Sequence, residues 1–172
     1  MRRMILELDG ERCVACGACA VACMDQNDID PAGVDAPFRQ VFTIEEEGER
    51  GLRCGYFSTA CMHCANAPCV VGCPAGCLQK DPETGFTVYD NTNCIGCHSC
   101  AMACPFGVPS FGAGGKMIKC DGCAHRVKNG ELPACVKACP FDALHLYSEE
   151  EYAEKKRDRR ASQGAKLIWS CR

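Results

Sequence analysis

The run Cys94-Ile95-Gly96-Cys97-His98-Ser99-Cys100-Ala101-Met102-Ala103-Cys104-Pro105 sets three cysteines at two-residue gaps, a fourth after three more residues, and a proline behind it. Thiolates spaced this way converge from one short turn. Gly96, Ser99 and Ala101 between them are small enough to let backbone N–H groups approach sulfur. The spacing is that of [4Fe–4S] ligand runs, in which three cysteines hold one cluster and the fourth ligates another. Structural zinc is the competing reading, but it takes its cysteines as two separated pairs around one tetrahedral ion.

The run is repeated. Cys13, Cys16, Cys19 and Cys23 keep the same gaps, with Met24 where Pro105 stands, and Leu8-Asp9 precedes them as Tyr89-Asp90 precedes Cys94. A second kind of run widens the third gap: Cys61, Cys64, Cys69 and Cys73-Pro74, then Cys120, Cys123, Cys135 and Cys139-Pro140 around a loop that contains Asn129-Gly130. Pro68 to Pro74 matches Pro133 to Pro140 with one insertion, and Cys77-Leu78 matches Ala143-Leu144. The two kinds alternate along the chain, the mark of a duplicated two-motif unit. Cys54, Cys77 and Cys171 are left over and read as small buried or surface thiols.

Nineteen of the 172 residues are cysteine. Disulfide frameworks of that density belong to secreted domains shorter than about 80 residues. Here Met1-Arg2-Arg3-Met4 runs straight into Glu7, Asp9, Glu11 and Arg12 with no apolar signal core. No apolar run approaches the roughly 18 residues of a membrane span. The expectation is a cytoplasmic chain with no direct membrane span. Apolar residues make up 47% with cysteine counted, a thin core once cysteine is set aside, so clusters must replace part of the packing. No basic patch with interleaved aromatics points to nucleic acid. Ionising sixteen thiols around four doubly positive cores takes the formal charge from −3 to about −11. Buried negative charge on that scale needs N–H donors and nearby cations, for which Lys116, Lys119, Arg126 and Lys137 are candidates.

Between the runs, Met4 to Asp9 alternates as a short strand. Asp28 to Pro37 reads as a loop, and Val41 to Ile44 with Leu52 to Phe57 as a hairpin turning around Glu47-Gly48-Glu49. The hairpin is expected to cover a cluster rather than to dock a partner. Phe141 to Tyr147 reads as a strand, and Ser148-x-x-Glu151 as a capping box opening a helix with Lys155, Lys156, Arg157, Arg159 and Arg160 towards its end. The helix reads as a solvated charged one. Lys166-Leu167-Ile168-Trp169 reads as a docking tail, because it carries the only tryptophan.

Four cysteine runs in this order, one with the long gap between Cys123 and Cys135, resemble the four-cluster iron–sulfur subunits of the dimethyl sulfoxide reductase superfamily. That group includes the small subunits of formate dehydrogenases, formate-hydrogenlyase-type complexes and polysulfide reductases, and similar proteins accompany tungsten aldehyde oxidoreductases, carbon monoxide dehydrogenases and hydrogenases. The resemblance covers residues 4–147. It implies an α+β fold of two nested bacterial-ferredoxin-like modules, small, loop-rich and cluster-stabilised, with a hairpin insertion and a C-terminal helix. The outer module is 1–23 plus 105–147, the insertion 24–60, the inner module 61–104, and the helix with its docking tail 148–172.

The resemblance further implies that each fourth cysteine crosses over. Cys13, Cys16 and Cys19 would share a cluster with Cys139; Cys120, Cys123 and Cys135 with Cys23; Cys61, Cys64 and Cys69 with Cys104; and Cys94, Cys97 and Cys100 with Cys73. Some relatives lose a ligand in the third motif and hold a [3Fe–4S] cluster, but this chain keeps all four, so four [4Fe–4S] clusters are expected. No C-terminal membrane helix like that of some relatives follows, and a quinone-linked membrane complex is not expected. The implied partner is a catalytic oxidoreductase subunit, a molybdenum or tungsten pterin enzyme such as formate dehydrogenase, with a second electron-transfer or hydrogenase subunit as a further neighbour.

Catalysis at a metal site needs an open position, and all four motifs are complete. Gly112-Ala113-Gly114-Gly115 matches neither dinucleotide nor P-loop spacing. His63 and His98 lie inside motifs whose thiolates already suffice, so they read as polar neighbours. The expectation is therefore a non-catalytic electron-transfer subunit, and a zinc-rich structural protein is the alternative from another class. Colour bleached by dithionite separates the two.

Overall fold

A computed structural model describes residues 3–33, 35–49 and 51–170, of which 164–170 are described as helix backbone only. The elements in chain order begin with β1 (Met4–Leu8), α1 (Ala18–Gln26), β2 (Gln40–Gly48) and β3 (Gly51–Thr59). Next come α2 (Pro68–Val71), β4 (Leu78–Lys80), β5 (Thr87–Tyr89), α3 (Ser99–Ala103), β6 (Ser110–Phe111) and β7 (Met117–Ile118). The chain ends with α4 (Ala124–Lys128), α5 (Ala134–Lys137), β8 (Leu144–Ser148) and α6 (Glu149–Ser170). The class is α+β, with each described sheet a two-stranded antiparallel pair.

Strand β1 pairs with β8 from Met4↔Ser148 to Leu8↔Leu144, so the two ends of the cysteine-bearing chain close on one another. Strand β4 pairs with β5 inside that span. The helices follow the same scheme: α1 packs on α5, and α2 on α3. The second contact is close, because a Cβ on Gly72 would lie 3.3 Å from the Ala103 Cβ.

The proline that follows three of the fourth cysteines decides where a helix stops. Pro105 has no N–H and biases Cys104 away from the helical region, and α3 ends at Ala103 with Cys104 extended at ψ 115°. In the first run Met24 removes that stop, and α1 continues for three residues past Cys23 to Gln26.

Eight of the fourteen buried apolar residues described form two clusters, each containing cysteines of the repeated runs. One joins Ala67, Cys69, Leu78, Cys100 and Met117, and the other Cys19, Cys135 and Leu144. The β2–β3 ribbon runs in register from Gln40↔Thr59 to Gly48↔Gly51. Its strands continue past Ile44 through Glu45, Glu46 and Glu47 into the segment expected to turn, because paired backbone tolerates exposed glutamates and the ribbon is solvated at that end.

The capping box is present. The Ser148 backbone N–H donates to Glu151 Oε2 at 2.7 Å, and the Glu151 N–H donates to Ser148 Oγ at 3.3 Å. Helix α6 then carries its backbone through Lys166 to Trp169, whose side chains lie outside the described residues, as does Cys171. Among the described residues no helix is long and apolar enough to cross a membrane.

Candidate cluster sites

Three cavities are each lined by three cysteines of one run and one of another. The first has Cys13, Cys16, Cys19 and Cys139 in its wall, the second Cys23, Cys120, Cys123 and Cys135, and the third Cys73, Cys94, Cys97 and Cys100. The remaining cysteines also meet: the charges of Cys61 and Cys104 bear on Cys69, and Cys64 packs against the buried cluster that contains Cys69. Only Cys16 and Cys97 of the sixteen are exposed.

Backbone turns aim N–H groups at these sulfurs. The N–H of Cys77 donates to Cys73 Sγ at 3.3 Å and that of Ala143 to Cys139 Sγ at 3.2 Å, both four residues on. Cys23 lacks the proline turn, and the side chain of Asn27, again four residues on, donates to Cys23 O at 2.7 Å and approaches its Sγ at 3.7 Å. Met117 donates to Cys94 Sγ and Gly122 to Cys120 Sγ, each at 3.3 Å. The Met117 donor lowers the Cys94 thiol, and the Ser99 hydroxyl and amide lower Cys97. Burial acts the other way, pushing Cys120 up to about 12 and Cys123 up to about 11. Thiols buried so deeply ionise against a metal and release protons as they bind it.

Cations lie among the sites, Lys119 and Arg39 buried and Lys80 half-buried. Lys119 is 1% exposed and donates to the carbonyls of Thr87 and Cys120. Lys80 donates to Cys64 O at 2.9 Å and Thr87 Oγ1 at 3.3 Å. Arg39 is 5% exposed and donates from Nη1 to Ser58 Oγ at 3.1 Å, while its Nε has no partner. Ser58 Oγ lies 3.4 Å from Cys19 Sγ, so its hydroxyl proton is free to face that sulfur. Among the described residues none of these three cations has a carboxylate in ion-pair reach. A buried cation without an anion is costly, and ionised thiolates around a cluster supply the missing negative charge. The donor set, the cavities and the orphaned guanidinium therefore fit [4Fe–4S] clusters. Zinc fits less well, since it takes its cysteines as two separated pairs, whereas each cavity wall here takes three from one run and one from another.

His63 is 3% exposed, and its ring is held well below the ordinary histidine range by burial and then by repulsion from Lys119, Lys80 and Arg39. The Thr87 N–H donates to His63 Nδ1 at 3.0 Å, and His63 Nε2 lies 3.7 Å from Cys120 Sγ. The His98 ring lies tilted on Phe111 at 3.7 Å between centroids.

Of the four cations that the sequence suggests, Lys119 is buried beside a cysteine run, and Lys137 lies within that run between Cys135 and Cys139 but is exposed. Lys116 instead donates to Thr92 O, and Arg126 pairs with Glu131. Lys80 and Arg39 are the cations that sequence reasoning misses. Neither sits within a cysteine run, and only the tertiary fold brings them there. Cys77 is buried as expected of a packing thiol, but it packs in the wall of the third cavity. Burial, with Cys73 and Cys94 alongside, pushes it up to about 11. Cys54 is exposed on β3.

A family model described as a 4Fe-4S dicluster domain matches residues 52–149. The chain belongs to this 4Fe-4S dicluster domain family. Among its relatives, the probable anaerobic dimethyl sulfoxide reductase chain YnfG of Escherichia coli (strain K12) is 39% identical over 157 residues, 86% of this chain and 75% of the relative. The thiosulfate reductase electron transfer subunit PhsB of Salmonella typhi is 40% identical over 138 residues, 79% of this chain and 71% of its own. The iron-sulfur subunit of the nitrate-inducible formate dehydrogenase of Escherichia coli (strain K12) is 32% identical over 161 residues, 86% of this chain and 55% of its own. This dicluster-domain protein is accordingly an iron–sulfur protein of electron transfer, with relatives that include an electron-transfer subunit and an iron–sulfur subunit of oxidoreductases.

Proposed function

We propose that the chain is the electron-transfer subunit of a molybdenum or tungsten pterin oxidoreductase and carries four [4Fe–4S] clusters in two nested modules on the cytoplasmic side. Cys13, Cys16, Cys19 and Cys139 hold one cluster; Cys23, Cys120, Cys123 and Cys135 a second; Cys61, Cys64, Cys69 and Cys104 a third; and Cys73, Cys94, Cys97 and Cys100 the fourth. The observation that carries this reading is the cavity wall that joins Cys139 to Cys13, Cys16 and Cys19 across more than a hundred residues. A bound [4Fe–4S] cluster exchanges one electron at a potential set by charge, hydrogen bonds and exposure. The protein holds the sulfurs, aims N–H donors at Cys73, Cys94, Cys120 and Cys139, and buries Lys119 and Arg39 nearby to offset negative charge. The exposed Cys16 and Cys97 mark the two sites that a partner's redox centre can approach most closely.

The test is anaerobic purification with iron and sulfide analysis, followed by low-temperature EPR of Cys139→Ala beside Cys19→Ala. The expected result is about 16 iron and 16 sulfide per chain, and a lesion of the same spectroscopic species in both variants. Saturation near eight iron after full reconstitution counts against four clusters. Lesions at two different species count against the crossed pairing.

A further inference from the structure

Each run opens with two cysteines two residues apart, and the second intervening residue is left-handed in all four: Ala15 at φ 54°, His63 at 44°, Gly96 at 65° and Gly122 at 76°. Two are glycine, to which this conformation is open, and one is alanine. A histidine there is strained, and strain of this kind persists where the surrounding structure imposes it and is a pointer to function.

The surroundings of His63 are built on both sides. Its ring packs on Phe86, which is 0% exposed, at 4.5 Å between centroids. The Thr87 backbone N–H can only donate, so the Nδ1 that it faces is an acceptor and the ring proton sits on Nε2. Nε2–H is thereby directed at Cys120 Sγ, 57 residues away in the fourth motif. Lys80 donates to the carbonyl of His63, and Lys119 to those of Thr87 and Cys120, which fixes all three residues from the far side. His98 is also left-handed, at φ 61°, but its ring lies tilted on Phe111 and, among the described residues, makes no hydrogen bond to a sulfur. The strain alone does not make the device.

We propose that His63 is a hydrogen-bond bridge from the second motif to the fourth, held in a strained turn so that its Nε2–H donates to the Cys120 thiolate and raises the reduction potential of the cluster held there. Donation to a ligand sulfur stabilises its negative charge and so favours the reduced, more negative state. The bridge also joins sites in different modules, because the backbone of His63 lies between Cys61 and Cys64. The inference rests on Cys120 being a ligand, as in the proposed function.

The experiment uses the full-length protein with its clusters, purified anaerobically, and EPR-monitored redox titration with iron analysis. Cys123→Ala identifies the signal of the centre beside Cys120. His63→Gly relieves the turn and removes the ring; His63→Asn tolerates the turn but is too short to reach the sulfur. Expected are full iron, a lower potential at the identified centre alone, and partial recovery in His63→Gln, which keeps an N–H donor. If His63→Gly loses iron, His63→Asn is read instead. An unmoved potential at that centre, or an equal shift of all centres, overturns the bridge. A Cys123→Ala protein that keeps all its iron overturns the ligand assignment, and the bridge with it.

Discussion

Asp81 shows how one carboxylate positions the segment that faces His63. Its side chain is 6% exposed, pairs with Lys128 Nζ at 2.6 Å and accepts from the Thr84 N–H and hydroxyl at 3.0 and 2.6 Å. Its backbone closes the same loop, donating to Phe86 O and accepting from Gly85. Burial alone would raise its pKa, but the Lys128 and Thr84 bonds outweigh it and hold the carboxyl below its ordinary 3.8. A depressed folded value means that the stabilisation is complete above the unfolded value and is lost as pH falls through the folded one. Asp81→Asn should therefore cost about 1–3 kcal/mol at neutral pH. The gap in thermal midpoint between the two anaerobic holoproteins should be present at pH 7 and stay constant down to about pH 5, because the carboxyl is ionised in both the folded and the unfolded chain over that range. No gap at pH 7, or one that shrinks between pH 7 and 5, counts against this role. Residue-scale features of this sort are poorly legible in sequence. The Cys-x-x-Cys spacings are local and can be read directly, whereas the contact of His63 with Cys120 depends on a turn, a strand and two lysines from elsewhere.

At the scale of elements, α6 over 149–163 is attached chiefly by charge, with Tyr152 beside Tyr147 as its ring contact. Glu7 on β1, with its side chain 11% exposed, meets both Lys155 and Arg159, and Lys155 also donates to Tyr147 OH at 2.8 Å. Glu7→Gln removes the anion that two cations share. The expected cost is about 1 kcal/mol of docking, roughly a fivefold rise in the open population. Limited proteolysis within 149–163 should be faster to match, with iron content unchanged; unchanged cleavage would show that the helix is held by something else. The capping box that starts this helix is legible because Ser148 and Glu151 lie within one turn. The docking is not, since Glu7 and Lys155 are 148 residues apart. The same division explains the ribbon. Its strands can be read from Val41 to Ile44 and from Leu52 to Phe57, but its length follows from cross-strand pairing that carries the exposed glutamates along.

Across the whole molecule, the organic core is too small to explain a stable chain of this length. Six of the fourteen buried apolar residues described are cysteine, and only Leu78, Phe86, Met117 and Leu144 among them are large. The cysteines themselves form much of both buried clusters, so whatever binds their sulfurs also ties the helices and strands together. Without metal, each site leaves buried thiols around open space, and Arg39 and Lys119 lose their anions. With metal, binding free energy becomes folding free energy. Anaerobic removal of iron by a chelator and oxidant should therefore abolish most of the cooperative thermal transition and much of the strand and helix circular dichroism. Iron, sulfide and thiol reductant together should restore both. The β1–β8 pairing should fail with the rest, because its strands flank Cys13 and Cys139 and the cluster that Leu8 and Leu144 join is built on Cys19 and Cys135. Hydrogen exchange at Leu6 and Leu146, which face each other in that pair, reports this directly. Protection that survives complete iron removal would mean that the chain folds on its apolar core and that the clusters are guests in it.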